Sequence, residues 1–509
     1  MSDERTPEDI AADSLAEGEA VLRHLDRAAL PHAAGALLDA GSRLALVVCH
    51  EDTDAFRIVY SFVGTTPELR ADLCVTVPRD DAWIPSLAER SLPAGNFERG
   101  IRDLYGVVPR NHPQPHRLVR HGHWPRGWYP MLRANTVVPE FEPDTESFPF
   151  VPVEGPGVYE IAVGPIHAGI IEPGHFRFSV VGETIVRMEA RQWYLHRGVE
   201  KVFEGKTAAT GVLLAEQISG DTAVGHSLAF VMAVEQAAGI EVSEPDRLLR
   251  ALLLELERLY NHVTDLGSLA NDVGFGIIDA QAQGLREQLL RINKTVTGHR
   301  LLRGAISVGG TRVRALPEAA DLVRISAAMA ELVGITLGHA IVRGRFTGTA
   351  RLSNEHATTI GTLGYVARAS GIDTDARKEY PFVNLGEVFH VVTEEGGDVL
   401  ARYTVRAREV EVSAAVAVDL LRRLQGHTGT AHSVNPTTAG TGLALVEAWR
   451  GTATHRVELS ADGTLARVKV VDPSFLNWPA VPNALSETIV PDFPLANKSF
   501  NLSYAGNDL

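Results

Sequence analysis

Apolar positions recur at helical spacing from Ser14 to Ala40, and the period then shortens. The segments R-L-A-L-V-V-C-H, F-R-I-V-Y-S-F-V and A-D-L-C-V-T-V follow one another, rich in β-branched and aromatic residues and separated by turn formers. They read as three strands, and a helix followed by such strands predicts an α+β unit with an antiparallel sheet over roughly residues 1–130. Residues 131–155 are crowded with proline and carboxylates (V-V-P-E-F-E-P-D-T-E-S-F-P-F-V-P-V-E-G-P-G), which predicts an extended linker. From residue 156 to 509 the helical period dominates. Leu252, Leu256, Leu259 and Val263 share one face of a core helix, with Glu255, Arg258 and His262 on the neighbouring face as a solvated stripe or a structural ion pair. Near the end, Phe500, Leu502 and Tyr504 alternate with polar residues and predict a short strand with one face available for burial. The fold class is therefore α+β: an N-terminal α/β unit, then a mainly helical one.

Composition narrows the function classes. A chain of 509 residues has room for two or three cores, and 45% hydrophobic with 22% charged residues is ordinary for a globular protein. The formal net charge of −15 argues against nucleic acid or an anionic membrane surface as the main partner. Only two cysteines occur, Cys49 and Cys74, neither in a C-x-x-C, so this chain alone cannot supply the four thiolates an iron–sulfur cluster usually takes. Their scarcity fits a reducing compartment. No apolar run reaches the ~18 residues of a membrane span. The acidic start, M-S-D-E-R-T-P-E-D, carries no signal-peptide hydrophobic region, so a cytoplasmic chain that docks on a membrane partner is expected.

Two stretches carry the candidate chemistry: A-E-Q-I-S-G-D-T-A-V-G-H, Ala215 to His226, and V-D-P-S-F-L-N-W, Val471 to Trp478. Together they resemble the paired metal-binding motifs of [NiFe] hydrogenase large subunits, of the form R-x-C-G-x-C-x-x-x-H and D-P-C-x-x-C. Glu216, Gly220, His226, Asp472 and Pro473 fit the frame, while Gln217 replaces the arginine. Ser219, Thr222, Ser474 and Asn477 stand where the four cysteines would be. Nickel and low-spin iron need soft, bridging thiolates, which hydroxyls and a neutral amide do not replace. The resemblance thus implies a pocket kept as a shape and emptied of metal.

Other segments extend the likeness along nearly the whole chain. F-E-R-G-I-R-D-L-Y-G-V-V-P-R-N-H-P-Q-P-H-R-L, Phe97 to Leu118, resembles the signature of the C-type subunit of complex I, with Glu98, Arg99, Asp103, Gly106, His112, Pro113 and Arg117 in place. Read as bare residues, Arg99 and Asp103 are an i,i+4 pair on a helix. G-P-I-H-A-G-I-I-E-P-G-H-F-R-F from Gly164, W-Y-L-H-R-G-V-E-K from Trp193, L-G-Y-V-A-R-A-S-G-I-D-T-D-A-R from Leu363 and G-D-V-L-A-R-Y from Gly397 are similar to the D-type subunit of complex I and to membrane-bound, energy-converting hydrogenases of the formate hydrogenlyase type. The order implies fused C-type and D-type domains.

What this family does enters here as implication. His175 matches its quinone-headgroup histidine and Asp272 the aspartate beside it; a carboxylate next to an imidazole suits proton delivery near neutral pH, whereas the plain alternative is a histidine satisfying a loop carbonyl. Glu216 stands where hydrogenases keep a proton-passing carboxylate, and is otherwise an N-terminal helix charge. The tyrosine that donates to the second quinone oxygen would fall near Leu214, which cannot donate. The implied partners are an iron–sulfur small subunit of the complex I B type with its [4Fe-4S] cluster, a ferredoxin-like subunit and antiporter-like membrane subunits, with no nucleic acid. The implied acceptor is quinone or another molecule, and no cofactor is expected on this chain. Electron transfer, a non-catalytic scaffold and a working [NiFe] hydrogenase are the three readings, and the missing thiolates weigh against the last.

Overall fold

The computed structural model describes residues 21–64, 70–141, 143, 147–169, 171–430 and 433–509. Two compact units result, Met1–Pro152 with Thr359–Gly361, and Val153–Thr358 with Thr362–Leu509.

In the first unit, β2 (Arg43–Glu51), β3 (Ala55–Val63) and β4 (Arg70–Pro78) form the expected antiparallel meander, β1 (Val21–Leu25) adds to β4 in parallel, and β5 (Trp83–Pro85) pairs in parallel with β6 (Val108–Arg110). Helical spacing over 14–40 predicts no such strand. V-L-R-H-L pairs with residues 71–75, and the helix α1 is confined to Leu30–Asp39, where Pro31 fixes φ in the first turn. Ser14 to Ala20 lie outside the described residues. Cys49 and Cys74 are buried in β2 and β4 and form no disulfide.

Helix α2 (Leu92–Tyr105) carries the F-E-R-G-I-R-D signature between a Ser91 N-cap and Gly106 at φ 84°. Its charged residues hold loops. Glu98 accepts from Ser86 Oγ and Leu87 N at 2.6 and 2.8 Å, and burial lifts its carboxyl to about 7. Arg99 donates to His116 O and Arg117 O, while Asp103 Oδ2 receives Leu118 N, Val119 N and Arg120 N at 2.7–3.2 Å. Arg99 and Asp103 thus anchor the 116–120 segment, a tertiary task that helical spacing does not reveal. Between Arg110 and Val158 no helix or strand occurs among the described residues.

The second unit opens with an antiparallel meander of β7 (Val158–Val163), β8 (His175–Val181) and β9 (Thr184–Arg191). Then come helices α3 (Ala208–Ala215), α4 (Ala223–Ala238), α5 (Glu244–Asp272), α6 (Gly276–Thr297), α7 (Ala319–Gly338) and α8 (Val399–Leu424). A second meander, β10 (Gly440–Ala448), β11 (Gly451–Leu459) and β12 (Leu465–Val471), packs under α4. The approach is so close that a Cβ on Gly442 would lie 1.9 Å from Ala233 O. None of the described helices is by itself long and apolar enough to cross a membrane.

Helix α5 buries both of its faces. Glu255, Arg258 and His262 belong to a buried ionic network rather than a solvated stripe: Arg377 bonds Glu255 and Asp375, Arg368 reaches Glu409 and Glu447, and His262 Nε2 meets Glu409 at 2.7 Å. The chain's end is helical where alternation predicts a strand: α9 (Pro473–Asn477), α10 (Phe493–Phe500) and α11 (Tyr504–Asp508). Pro494 sits in the first turn of α10, Asn501 stops it at φ 39°, and Ser503 caps α11 through Gly506 N. Phe500, Leu502 and Tyr504 are all buried, by way of that turn.

Candidate functional site

Helix α3 ends at Ala215 and α4 starts at Ala223, so Glu216 to Thr222 form a bent connection. Thr222 occupies the N-cap of α4 without capping it; Glu257 of α5 instead accepts from Val224 N and Gly225 N at 2.7 and 2.9 Å. That frees the Thr222 hydroxyl to donate to Asp221 Oδ1 at 3.0 Å and to accept from Trp449 Nε1 at 3.1 Å. Arg450, at the β10–β11 turn, grips Asp221 with both terminal nitrogens, at 2.7 and 2.8 Å, and donates its Nε–H to Asn501 O at 2.6 Å. Ser219 Oγ donates to Asp221 Oδ1 at 3.0 Å and lies 2.9 Å from Ser503 Oγ. Ser503 N in turn donates to Ser474 Oγ at 2.9 Å.

Three of the four ligand-position residues, Ser219, Thr222 and Ser474, are therefore joined through Asp221 and Ser503. The fourth is not: Asn477 spends its amide on the backbone of Leu363, accepting at 2.8 Å and donating at 3.1 Å. The segment that meets Ser219 is N-L-S-Y-A-G, and Ser503 and Gly506 within it repeat the three-residue spacing of a C-x-x-C. Gly506 abuts the Asp472 carboxylate, leaving no room for a Cβ. Asp472 takes Ser474 N on one oxygen at 2.7 Å and faces His226 Nε2 with the other at 2.9 Å, and His226 Nδ1 continues to His455 Nε2 at 3.0 Å.

Electrostatics follow from burial. Desolvation pushes the Asp221 carboxyl up, but the Arg450 fork and two hydroxyl donors outweigh it and hold it below the ordinary range. Asp472 is likewise raised by burial and lowered further by His226 and Arg450. Burial lifts Glu257 to about 8 despite its two backbone donors. It drives His455 well below the usual histidine range, with His226 adding to the effect.

The other residues expected to act have contacts of their own. Glu216 is buried, accepts from Gly304 N at 2.6 Å, and burial raises its carboxyl. His175 opens β8, buried, with Nδ1 3.1 Å from Gly164 O. Asp272 ends α5 at the surface; desolvation raises its carboxyl, Lys498 opposes and Asp279 adds. Sequence reasoning missed Asp221, Ser503, Arg450, Glu257 and His455. Asp221 has a signal, a lone charge between two motif positions, and Ser503 has its S-x-x-G spacing. Arg450 lies 229 residues from its partner and has none.

The donor set does not fit a nickel–iron centre. Hydroxyls stand at Ser219, Thr222, Ser474 and Ser503, each already hydrogen-bonded, and soft metals prefer thiolates. Among the described residues no group of three or more His, Cys, Asp or Glu side chains is placed to hold a metal ion.

Residues 23–140 match the family described as the 30 kDa subunit of respiratory-chain NADH dehydrogenase, and residues 272–439 match that of its 49 kDa subunit. Formate hydrogenlyase subunit 5 of Escherichia coli is 32% identical over 448 residues, covering 85% of this chain and 78% of that one. The C/D subunit of NADH-quinone oxidoreductase from Bacteroides thetaiotaomicron is 30% identical, covering 72% of this chain and 73% of that one. Among solved structures, a chain of the archaeal respiratory membrane complex called membrane-bound sulfane sulfur reductase superposes with a TM-score of 0.61 at 22% identity, over 69% of this chain and 99% of that one.

Proposed function

From a chain that belongs to the family of complex I and membrane-bound hydrogenase large subunits, with 30 kDa and 49 kDa domains fused, we infer an oxidoreductase subunit that has given up its metal. In this reading it works only inside a multi-subunit complex, on the inner face of the cell membrane. It receives electrons from the [4Fe-4S] cluster of an iron–sulfur partner and passes them to quinone or another acceptor. The observation that supports the loss of nickel and iron is the Asp221–Arg450 pair with its ring of hydroxyls. Bidentate guanidinium–carboxylate contact and donated hydroxyl protons leave no soft donor for a metal to replace.

His175 and Asp272 are the acid–base candidates at the acceptor, Glu216 a proton-passing carboxylate. The carboxyl of the buried Glu216, raised by desolvation, supports that use, since it is brought closer to working pH. The test is purification of the complex from solubilised membranes, with elemental analysis and quinone-reduction assays. Substoichiometric nickel is expected, together with a fall in acceptor reduction on His175→Ala that leaves assembly intact; one nickel per chain overturns the reading.

One observation favours a scaffold instead. Both guanidinium nitrogens, both carboxylate oxygens and the surrounding hydroxyls of the cluster satisfy one another. A pocket so closed serves as a plug that holds the fold, and quinone that neither binds to nor is reduced by the intact complex would decide for it.

A further inference from the structure

The overall acidity of the chain hides a local reversal. From Arg286 to Arg314 the sequence holds seven arginines and lysines and a single carboxylate, Glu287, in a protein whose net charge is −15. The structure folds the first part of this stretch around a cavity of about 500 Å³ at the carboxyl end of α6. Leu290 and Leu301 contribute apolar walls, and Arg286, Lys294, His299 and Arg300 the polar ones. Glu287 is outside the cavity lining and is spent on Arg291 and Arg300, at 2.9 and 2.5 Å. Among the described residues neither Arg286 nor Lys294 has a carboxylate partner, and Arg286 Nε is buried without a hydrogen bond. Behind the loop, Arg314 packs its guanidinium against Gly298, where φ is +91° and a Cβ would have no room.

Cationic groups around aliphatic walls select a ligand with two parts. The rim calls for an oxyanion, and guanidinium forks suit phosphate geometry. The leucines, with the methylene stems of Arg286 and Lys294, call for an apolar body beside it. The volume falls in the usual range of small-molecule sites. The carbonyl end of α6 works against an anion, but its partial charge is smaller than that of one unpaired guanidinium. We propose that this cavity binds a phosphate-bearing amphiphile, its phosphate between Arg286 and Lys294 and its apolar part on Leu290 and Leu301. The loop that lines the cavity, Gly298 to Leu301, leads three residues on to Gly304, whose N–H donates to Glu216 at 2.6 Å.

The phosphate has two sources, a free nucleotide or the headgroup of an anionic phospholipid. Titration calorimetry of the purified complex with AMP, and separately with dihexanoyl-phosphatidylglycerol below its micelle concentration, tells them apart. At least one probe should bind the native complex, more tightly than inorganic phosphate does. The Arg286→Gln/Lys294→Gln variant should weaken that binding at least tenfold while co-purifying with its partners and melting at the same temperature. Binding of AMP alone marks the free-phosphate source, and binding of the lipid alone the headgroup. If neither probe binds at millimolar concentration, or the variant binds as well as the native complex, the site does not exist. Should that variant fail to assemble, the native complex titrated in rising salt decides: binding that salt leaves unchanged overturns the proposal.

Discussion

Arg450 and Asp221, 229 residues apart in sequence, meet fork to fork at 2.7 and 2.8 Å. The contact ties the Glu216–Thr222 connection to the β10–β11 turn, and Arg450 Nε carries it on to Asn501. Removing the guanidinium with Arg450→Ala leaves the Asp221 carboxylate without its counter-charge and the Asn501 carbonyl without its donor. Rupture of buried pairs costs about 3–5 kcal/mol, and the low end, about 3, is expected here because Asp221 keeps 38% of its side chain exposed. Denaturant titration of the purified protein measures it; Arg450→Lys should recover only part, since a point charge cannot hold both oxygens.

The 2.9 Å between Ser219 Oγ and Ser503 Oγ makes a covalent test available. In a Ser219→Cys/Ser503→Cys variant, mild oxidation should close a disulfide, seen as the loss of about two mass units that reductant restores. Two free thiols after oxidation would mean that these segments do not meet in solution.

Glu257 carries a pH signature. Its folded-state carboxyl titrates near 8 against an ordinary 4.5, so between those values the folded chain holds a proton that the unfolded chain has released. The contribution is therefore neutral below pH 4.5 and destabilising as pH rises toward 8, with a slope of at most about 1.4 kcal/mol per pH unit. Glu257→Gln should cost about 1 kcal/mol at low pH, because the amide NH2 cannot accept one of the two backbone donors, and should flatten the decline from pH 5 to 8. Midpoints of urea unfolding across that range check both signs.

Arg368 lies fully buried between Glu409, at 2.9 Å, and Glu447, at 2.7 Å, with Asp375 3.4 Å away. Arg368→Met should be among the most destabilising single changes in the second unit, about 4 kcal/mol or more, because it leaves Glu447 without its cationic partner and Glu409 with His262 alone, while Asp375 keeps Arg377. Soluble yield and denaturation midpoint report it, and a variant within 1 kcal/mol of the native protein would show that the network is not held by this residue.

Much of this is legible from residue patterns, and the exceptions have a common cause. Strands β2 to β4 and helix α5 announce themselves through their own side-chain period. Strand β1 does not, because V-L-R-H-L is extended only by virtue of its pairing with β4. The end of the chain misleads in the same way: Phe500, Leu502 and Tyr504 have the spacing of a strand, yet Asn501 at φ 39° and the Ser503 cap turn that spacing into a helix junction. In the site, Ser219 and Thr222 are visible as residues in a frame. Their partners Arg450 and Ser503 are not, because a hydrogen bond across 229 or 284 residues leaves no mark on either local pattern.

The walls of the Asp221 cluster are drawn from α5, from the β10–β11 turn and from residues 501–503. On a ribosome these arrive in that order, so the motif loop emerges nearly three hundred residues before Ser503 comes to close it. Until then Asp221 and the Glu257-capped start of α4 wait in an unfinished bundle, and contacts this distant in sequence form late because the chain entropy of closing so long a loop must be overcome first. The cluster thus acts as a proof of completion: a chain stalled or clipped before Ser503 would carry every recognisable motif residue up to Asn477 and still lack a closed pocket.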